Sequence, residues 1–151
     1  MTTVTVSSHV EAPVEQVFRQ FTDVEQAAKR VAGIRGIEMM TPGAFGPGTK
    51  WREIREVVGR LDSADMEVTS FDRNRMYTIT HYKAHSRIDT VFSFAPDGDG
   101  TKVTVEFTLD SQGMPPGLLA PLGWLVGGKI RSTLSQDLED LKQAAERGEA
   151  E

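Results

Sequence analysis

The sequence predicts an α+β fold: an antiparallel sheet of about seven strands set against one long C-terminal helix, with two short helices after the first strand. Three observations lead there. Alternating apolar and polar residues, the period-2 mark of half-buried strands, recur from Thr3 to Val10 and again between residues 36 and 109. The later runs are neighbours in sequence, so an antiparallel meander is the simplest topology. After Leu109 the periodicity changes: Ile130, Leu134, Leu138, Leu141 and Ala145 fall on one helical stripe.

Each element follows in order. Val4, Val6 and Val10 share one face of the first strand. Pro13 suits the first position of a helix, and Val14, Val17, Phe18 and Phe21 mark its apolar face. Asp23 is placed to cap a second short helix, "VEQAAKRV", which breaks at Gly33. "GIEMM" reads as a strand, and "TPGAFGPG", with three glycines and two prolines, as a loop. "TKWREIREVV" and "ADMEVTSF" flank Gly59 as a hairpin, and "RMYTITHYKA" and "RIDTVFSFA" are the next two strands. "PDGDG" is a turn leading into "TKVTVEFTLD", where Val103, Val105, Phe107 and Leu109 alternate with polar residues. "SQGMPPG" then leads into the long helix.

Composition narrows the function. A length of 151 residues fits a single domain over 1–151, and 38% hydrophobic with 26% charged residues suits a soluble globular chain. A net charge of −5 without a basic cluster argues against nucleic acid. With no cysteine, disulfides, thiol nucleophiles and thiolate metal sites are excluded. "MTTVTVSSHV" lacks the blocks of a signal peptide, so a cytoplasmic location is expected. The apolar run from Leu118 to Gly128 is 11 residues long, against roughly 20 for a membrane span, and Lys129 and Arg131 end it. No membrane span is expected.

That run raises a question of its own. Carried backwards, the helical stripe passes through Gly127 and Gly123, whereas Gly128 falls off it. Missing side chains on an inward face leave space, and empty apolar space costs about 24 cal/mol per Å³. Another backbone packs closely against these glycines, or a ligand fills the room, or the helix merely kinks at Pro121.

The order of elements, together with "VEAPVEQVFRQFTDVEQAAKRV", "GPGTKWRE", "MEVTSFDRNRMYTI" and "LEDLKQAAE", resembles the START-related, or SRPBCC, superfamily of polyketide cyclases, dehydratases and lipid-transport-like proteins. The resemblance covers nearly the whole chain. It implies a helix-grip fold, a curved sheet wrapped on the C-terminal helix, with a cavity between them for a lipid, aromatic or polyketide-like molecule. It carries no catalytic residue to this chain. The residues such a cavity would draw on are Gly123, Gly127 and Ile130 from the helix, and Trp51, Glu53, Ile79, Phe92 and Phe107 from the strands.

Candidate chemistry centres on histidine. His9 lies near the end of the first strand, His81 in the fifth and His85 just after it. Two residues four apart on a strand stand roughly 13 Å apart, too far to share a metal, so no metal site is expected. His81 shares a strand face with Tyr77 and Ile79, while Met76, Thr78, Thr80 and Tyr82 take the other, and the pattern does not say which face looks inward. If the Tyr77 face does, His81 and Tyr77 become the candidate catalytic pair, able to polarise a carbonyl and move a proton. In "KWREIREV", Trp51, Glu53, Arg55 and Val57 alternate with Arg52, Ile54, Glu56 and Val58. Glu53 and Arg55 can pair inside a cavity or contact a polar ligand head group, although solvated cross-strand pairs are the default expectation. Trp124 lies off the stripe and either covers a cavity mouth or packs as satellite core.

No G-x-S-x-G nucleophile elbow occurs, and neither "GPGTK" nor "GGKIRS" completes a phosphate loop, so no cofactor is expected. Three functions follow: binding of a small hydrophobic ligand, a cyclase or dehydratase in the same cavity, or a protein-interaction module using the helix or the "TPGAFGPG" loop. A homodimer stays open.

Overall fold

The computed structural model describes residues 1–57, 59–83, 85–111 and 116–148, with the backbone alone at residue 57 and over 116–127. Seven strands are β1 (Thr2–Val10), β2 (Ile34–Met39), β3 (Lys50–Val57), β4 (Arg60–Asp72), β5 (Met76–Lys83), β6 (Ser86–Asp97) and β7 (Gly100–Ser111). Helix α1 (Val14–Thr22), a 3-10 turn (Val24–Gln26) and helix α2 (Ala27–Arg30) follow β1, and helix α3 (Pro116–Arg147) closes the chain. All strand pairs are antiparallel, in the order β1-β7-β6-β5-β4-β3-β2. Strands β2 to β7 form the expected meander, and β1 joins it beside β7.

One face of the sheet carries the core. Val4, Val6 and Val10 of β1 are buried, and so are Val103 and Val105 of the neighbouring β7, where Val105 pairs with Val6. Helix α1 drops Phe18 and Phe21 onto this face. The Phe18 ring meets Tyr77 and Phe94 edge-on at 5.9 and 5.1 Å, and Tyr77 stacks on Phe92 at 4.8 Å. Such contacts add roughly 0.5–1.5 kcal/mol each beyond the burial of area. The C-terminal half of α3 is tied to the N-terminal elements by three hydrogen bonds: Gln16 Nε2 donates to the Ala145 carbonyl, and the amides of Ala32 and Glu11 donate to Asp140 and Glu146. Leu138 and Ala145 of the stripe are fully packed there. Arg131 donates to the Thr5 carbonyl on edge strand β1, which helps to cover that edge.

Glycine is required where β1 meets the last hairpin. A Cβ on Gly100 would lie 2.5 Å from the Val10 carbonyl oxygen and 2.7 Å from the His9 ring. This close approach lets Thr101 Oγ1 reach the Ala12 carbonyl and seat helix α1.

Several local expectations change. Pro13 precedes helix α1 in an extended conformation, and the helix begins at Val14. Asp23 does not cap the next helix: its ψ of 74° turns the chain away, and its carboxylate faces Arg30 at 3.4 Å instead. The second helix is a 3-10 turn plus four residues, because Val31 returns to extended backbone. Strand β2 begins at Ile34, two residues before "GIEMM", through a bulge between Ile34 and Gly36, and β4 reaches back to Arg60.

Candidate functional site

Strand alternation decides what faces the helix. In β3, Trp51, Glu53 and Arg55 point inward. The register pairs Trp51 with Met66 and Glu53 with Ala64, so those β4 residues share the inner face. In β5 the Tyr77, Ile79 and His81 face is the inner one, which resolves the ambiguity of the sequence. The first half of the described α3 side chains, Ile130 and Leu134, stands over these strands.

Between them lies a cavity of about 350 Å³. Trp51, Met66, Ile79, Phe92, Phe107 and Ile130 give it apolar walls. Glu53, Arg55 and His81 line it from the sheet, and Asp137 lines it from the helix. Lys83 and Lys129 are exposed members of its wall, and Lys83 is ion-paired with Asp62. A second chamber of about 90 Å³ shares Trp51, Glu53, Arg55, Ile79, Phe92, Leu134 and Asp137 with the first, so these seven side chains form a partition.

Arg55 is the centre of that partition. Its Nε donates to Glu53 at 2.8 Å, and its two terminal nitrogens donate to Asp137 at 3.3 and 2.7 Å. Burial disfavours the charge on Arg55, yet Glu53 and Asp137 overcome this and hold its pKa above the usual value. Burial raises the pKa of the Asp137 carboxyl, with Arg55 opposing the shift. Solvated cross-strand pairing, the default expectation for "KWREIREV", holds only for the outer face, where Arg52 meets Asp65 and Arg35 meets Glu56. The inner Glu53–Arg55 pair is enclosed, because the helix covers that side of β3.

His81 lines the cavity, and its Nδ1 is enclosed without a hydrogen-bond partner. Burial lowers its pKa; Glu53 works against the shift and Arg55 reinforces it. The ring is therefore neutral near pH 7. Tyr77 lies deeper. It is 2% exposed, lines only the smaller chamber and donates to the Phe21 carbonyl at 3.5 Å, and burial raises its pKa. The expected His81 and Tyr77 pair does not assemble at one cavity, since i and i+4 on a strand are roughly 13 Å apart.

The remaining candidates separate. His9 is exposed, held by Asp97 and Glu11 at 2.8 Å each, and His85 sits in a hairpin turn with φ of 63°. Gly123, Gly127 and Trp124 lie in the backbone-only part of α3, so their surroundings fall outside the described residues. Gly128 is exposed, and a Cβ there would meet nothing. The "TPGAFGPG" loop turns its one aromatic inward: Phe45 packs on Tyr77, Phe71 and Trp51. Among the described residues, no group of three or more His, Cys, Asp or Glu is placed to hold a metal, and no helix is long and apolar enough to cross a membrane.

The residue that sequence reasoning missed is Asp137. Its signal was present: it follows Leu134 by three residues and precedes Leu138, so it falls within the buried arc of the stripe.

A curved antiparallel sheet gripping a long helix over a cavity defines the helix-grip class. The family described as polyketide cyclase/dehydrase and lipid transport matches residues 1–146, and the chain belongs to it, within the SRPBCC superfamily. The fold is similar to that of TTHA0849 from Thermus thermophilus (20% identity, TM-score 0.82, 99% of this chain and 100% of that one). It is also similar to the Zhui aromatase/cyclase from Streptomyces sp. R1128 (14%, 0.80, 97% and 94%). Major latex-like protein 151 from Panax ginseng is a third such structure (13%, 0.71, 95% and 97%). At these identities the likeness is one of fold. No curated protein matches the sequence.

Proposed function

We propose that this protein, as a single domain, binds a small hydrophobic molecule, lipid, aromatic or polyketide-like, between the sheet and helix α3. The observation that carries this is the 350 Å³ cavity, whose apolar walls surround a few fixed polar groups. Its size falls within the roughly 300–1,000 Å³ of small-molecule sites, and its composition matches theirs. Membership of the cyclase, dehydrase and lipid-transport family supports the same reading. The test is a thermal-shift and native mass spectrometry screen of apolar compounds. A ligand at a hundred times its Kd should stabilise the fold by about 2.7 kcal/mol. The absence of any stabilising compound across lipids, aromatics and polyketides would count against binding.

A second reading is an enzyme in this cavity, a cyclase or dehydratase, and His81 favours it. A neutral imidazole can take a proton from carbon next to a carbonyl and return it to a departing hydroxyl, which leaves as water. Tyr77 is too deep to help directly. His81→Ala should keep ligand affinity within about two-fold under the binding reading. Under the enzymatic reading it should abolish turnover of an aromatic polyketide, and equal turnover in the variant would remove His81 from the chemistry.

A further inference from the structure

The charge balance of the inner wall restricts which ligand fits. Arg55 offers five N–H donors, and carboxylates engage all three of its nitrogens: Nε on Glu53, and the terminal pair on Asp137. Two negative charges thus face one positive charge. Among the described residues of the cavity wall, the other cations are Lys83 and Lys129, both exposed, and Lys83 is taken by Asp62. An anionic head group entering the cavity meets no unengaged cation at depth and two carboxylates instead, and uncompensated buried charge is strongly disfavoured.

The same carboxylates point to what would be accepted. Glu53 and Asp137 line the cavity with side chains 11% and 20% exposed, and their oxygens keep lone pairs beyond those given to Arg55. A neutral hydroxyl meets that demand by donating to a carboxylate. The apolar wall beside it is rich in rings.

We propose that the cavity selects neutral, hydroxyl-bearing aromatic molecules and rejects carboxylates, with Glu53 and Asp137 repelling an anion and accepting a hydrogen bond from a hydroxyl. This rests on the ligand-binding reading above and narrows it, since it removes fatty acids from the range of ligands.

The experiment is calorimetric titration at neutral pH with naphthalene, naphthol and naphthoate. Wild-type protein should bind naphthol at least about ten-fold more tightly than naphthoate, with naphthalene between them. Glu53→Gln leaves one carboxylate per guanidinium and should narrow that ratio by about ten-fold. Asp137→Asn makes the same charge change from the helix, should Glu53→Gln not fold. Naphthoate binding as tightly as naphthol to the wild type, or a ratio unmoved by both charge variants, overturns the selectivity while the cavity reading stands. Failure of all three probes to bind the wild type strikes the cavity reading itself, and the selectivity with it.

Discussion

The same inner face of the sheet is mostly solid at one end, with the chamber of about 90 Å³ left open, and hollow at the other. At the solid end, Phe18 and Phe21 of α1 interlock with Tyr77 and Phe94, and the C-terminal half of α3 is tied down by Gln16, Asp140 and Glu146. At the hollow end, Ile130 and Leu134 stand over Trp51, Ile79 and Phe92 with room for a guest. Strand β5 runs through both, with Tyr77 packed in one and His81 lining the other. The comparison teaches that α1 decides where the core is filled: it covers only part of the sheet, its Phe21 borders the smaller chamber, and no α1 residue lines the larger one.

The two ends should respond differently to substitution. The largest effect is expected at the solid end, where Phe18→Ala removes a ring shared by three aromatic neighbours and should cost about 3–5 kcal/mol in denaturant unfolding. A cost under about 1 kcal/mol would mean that this end is not close-packed. Next comes the partition. Arg55→Met leaves Glu53 and Asp137 without their cation and should cost about 2–4 kcal/mol, reduced from a fully buried case because the side chain is 25% exposed. Equal stability would show that water already screens the cluster.

The smallest effects are electrostatic and opposite in sign at two histidines. His81, at the hollow end, has a folded-state pKa below 6.5. The unfolded chain therefore takes its proton first, and stability falls as pH drops through and below about 6.5. His9, beside α1, has a raised folded-state pKa, owed first to its bond with Asp97. Its contribution is complete below about 6.5 and is lost as pH rises through the raised value. His81→Phe should flatten the acid side of a stability-against-pH curve, and His9→Gln the side above 6.5. The His9 effect should also shrink in high salt, because its partners are exposed. Identical curves for both variants would break the contrast.

The sheet was legible in the sequence because alternation fixes faces residue by residue. Val4, Val6, Val103 and Val105 are buried where the pattern puts them. The α3 stripe was legible for the same reason, through Leu138 and Ala145. Helix ends were less so: Asp23 has a capping side chain but uses it on Arg30, a tertiary partner that no local rule contains. On β5, both faces mix apolar and polar residues, so only the position of α1 and α3 decides that Tyr77 and His81 face inward. The Arg55–Asp137 contact spans 82 positions, and spacing within one element cannot reveal it. Glu53 and Arg55 were visible as a same-face pair, but whether that face met water or helix was not.

The central claim, that the hollow end exists to hold a guest, is tested most directly at Ala64, which faces the cavity opposite Glu53. Calorimetric titration of wild type and Ala64→Trp with an aromatic probe such as naphthol measures it. The account predicts at least an about ten-fold loss of affinity in the variant, with stability changed by less than about 1.5 kcal/mol because the new ring enters empty space. Undiminished affinity in a folded Ala64→Trp protein would place the ligand elsewhere and contradict the account.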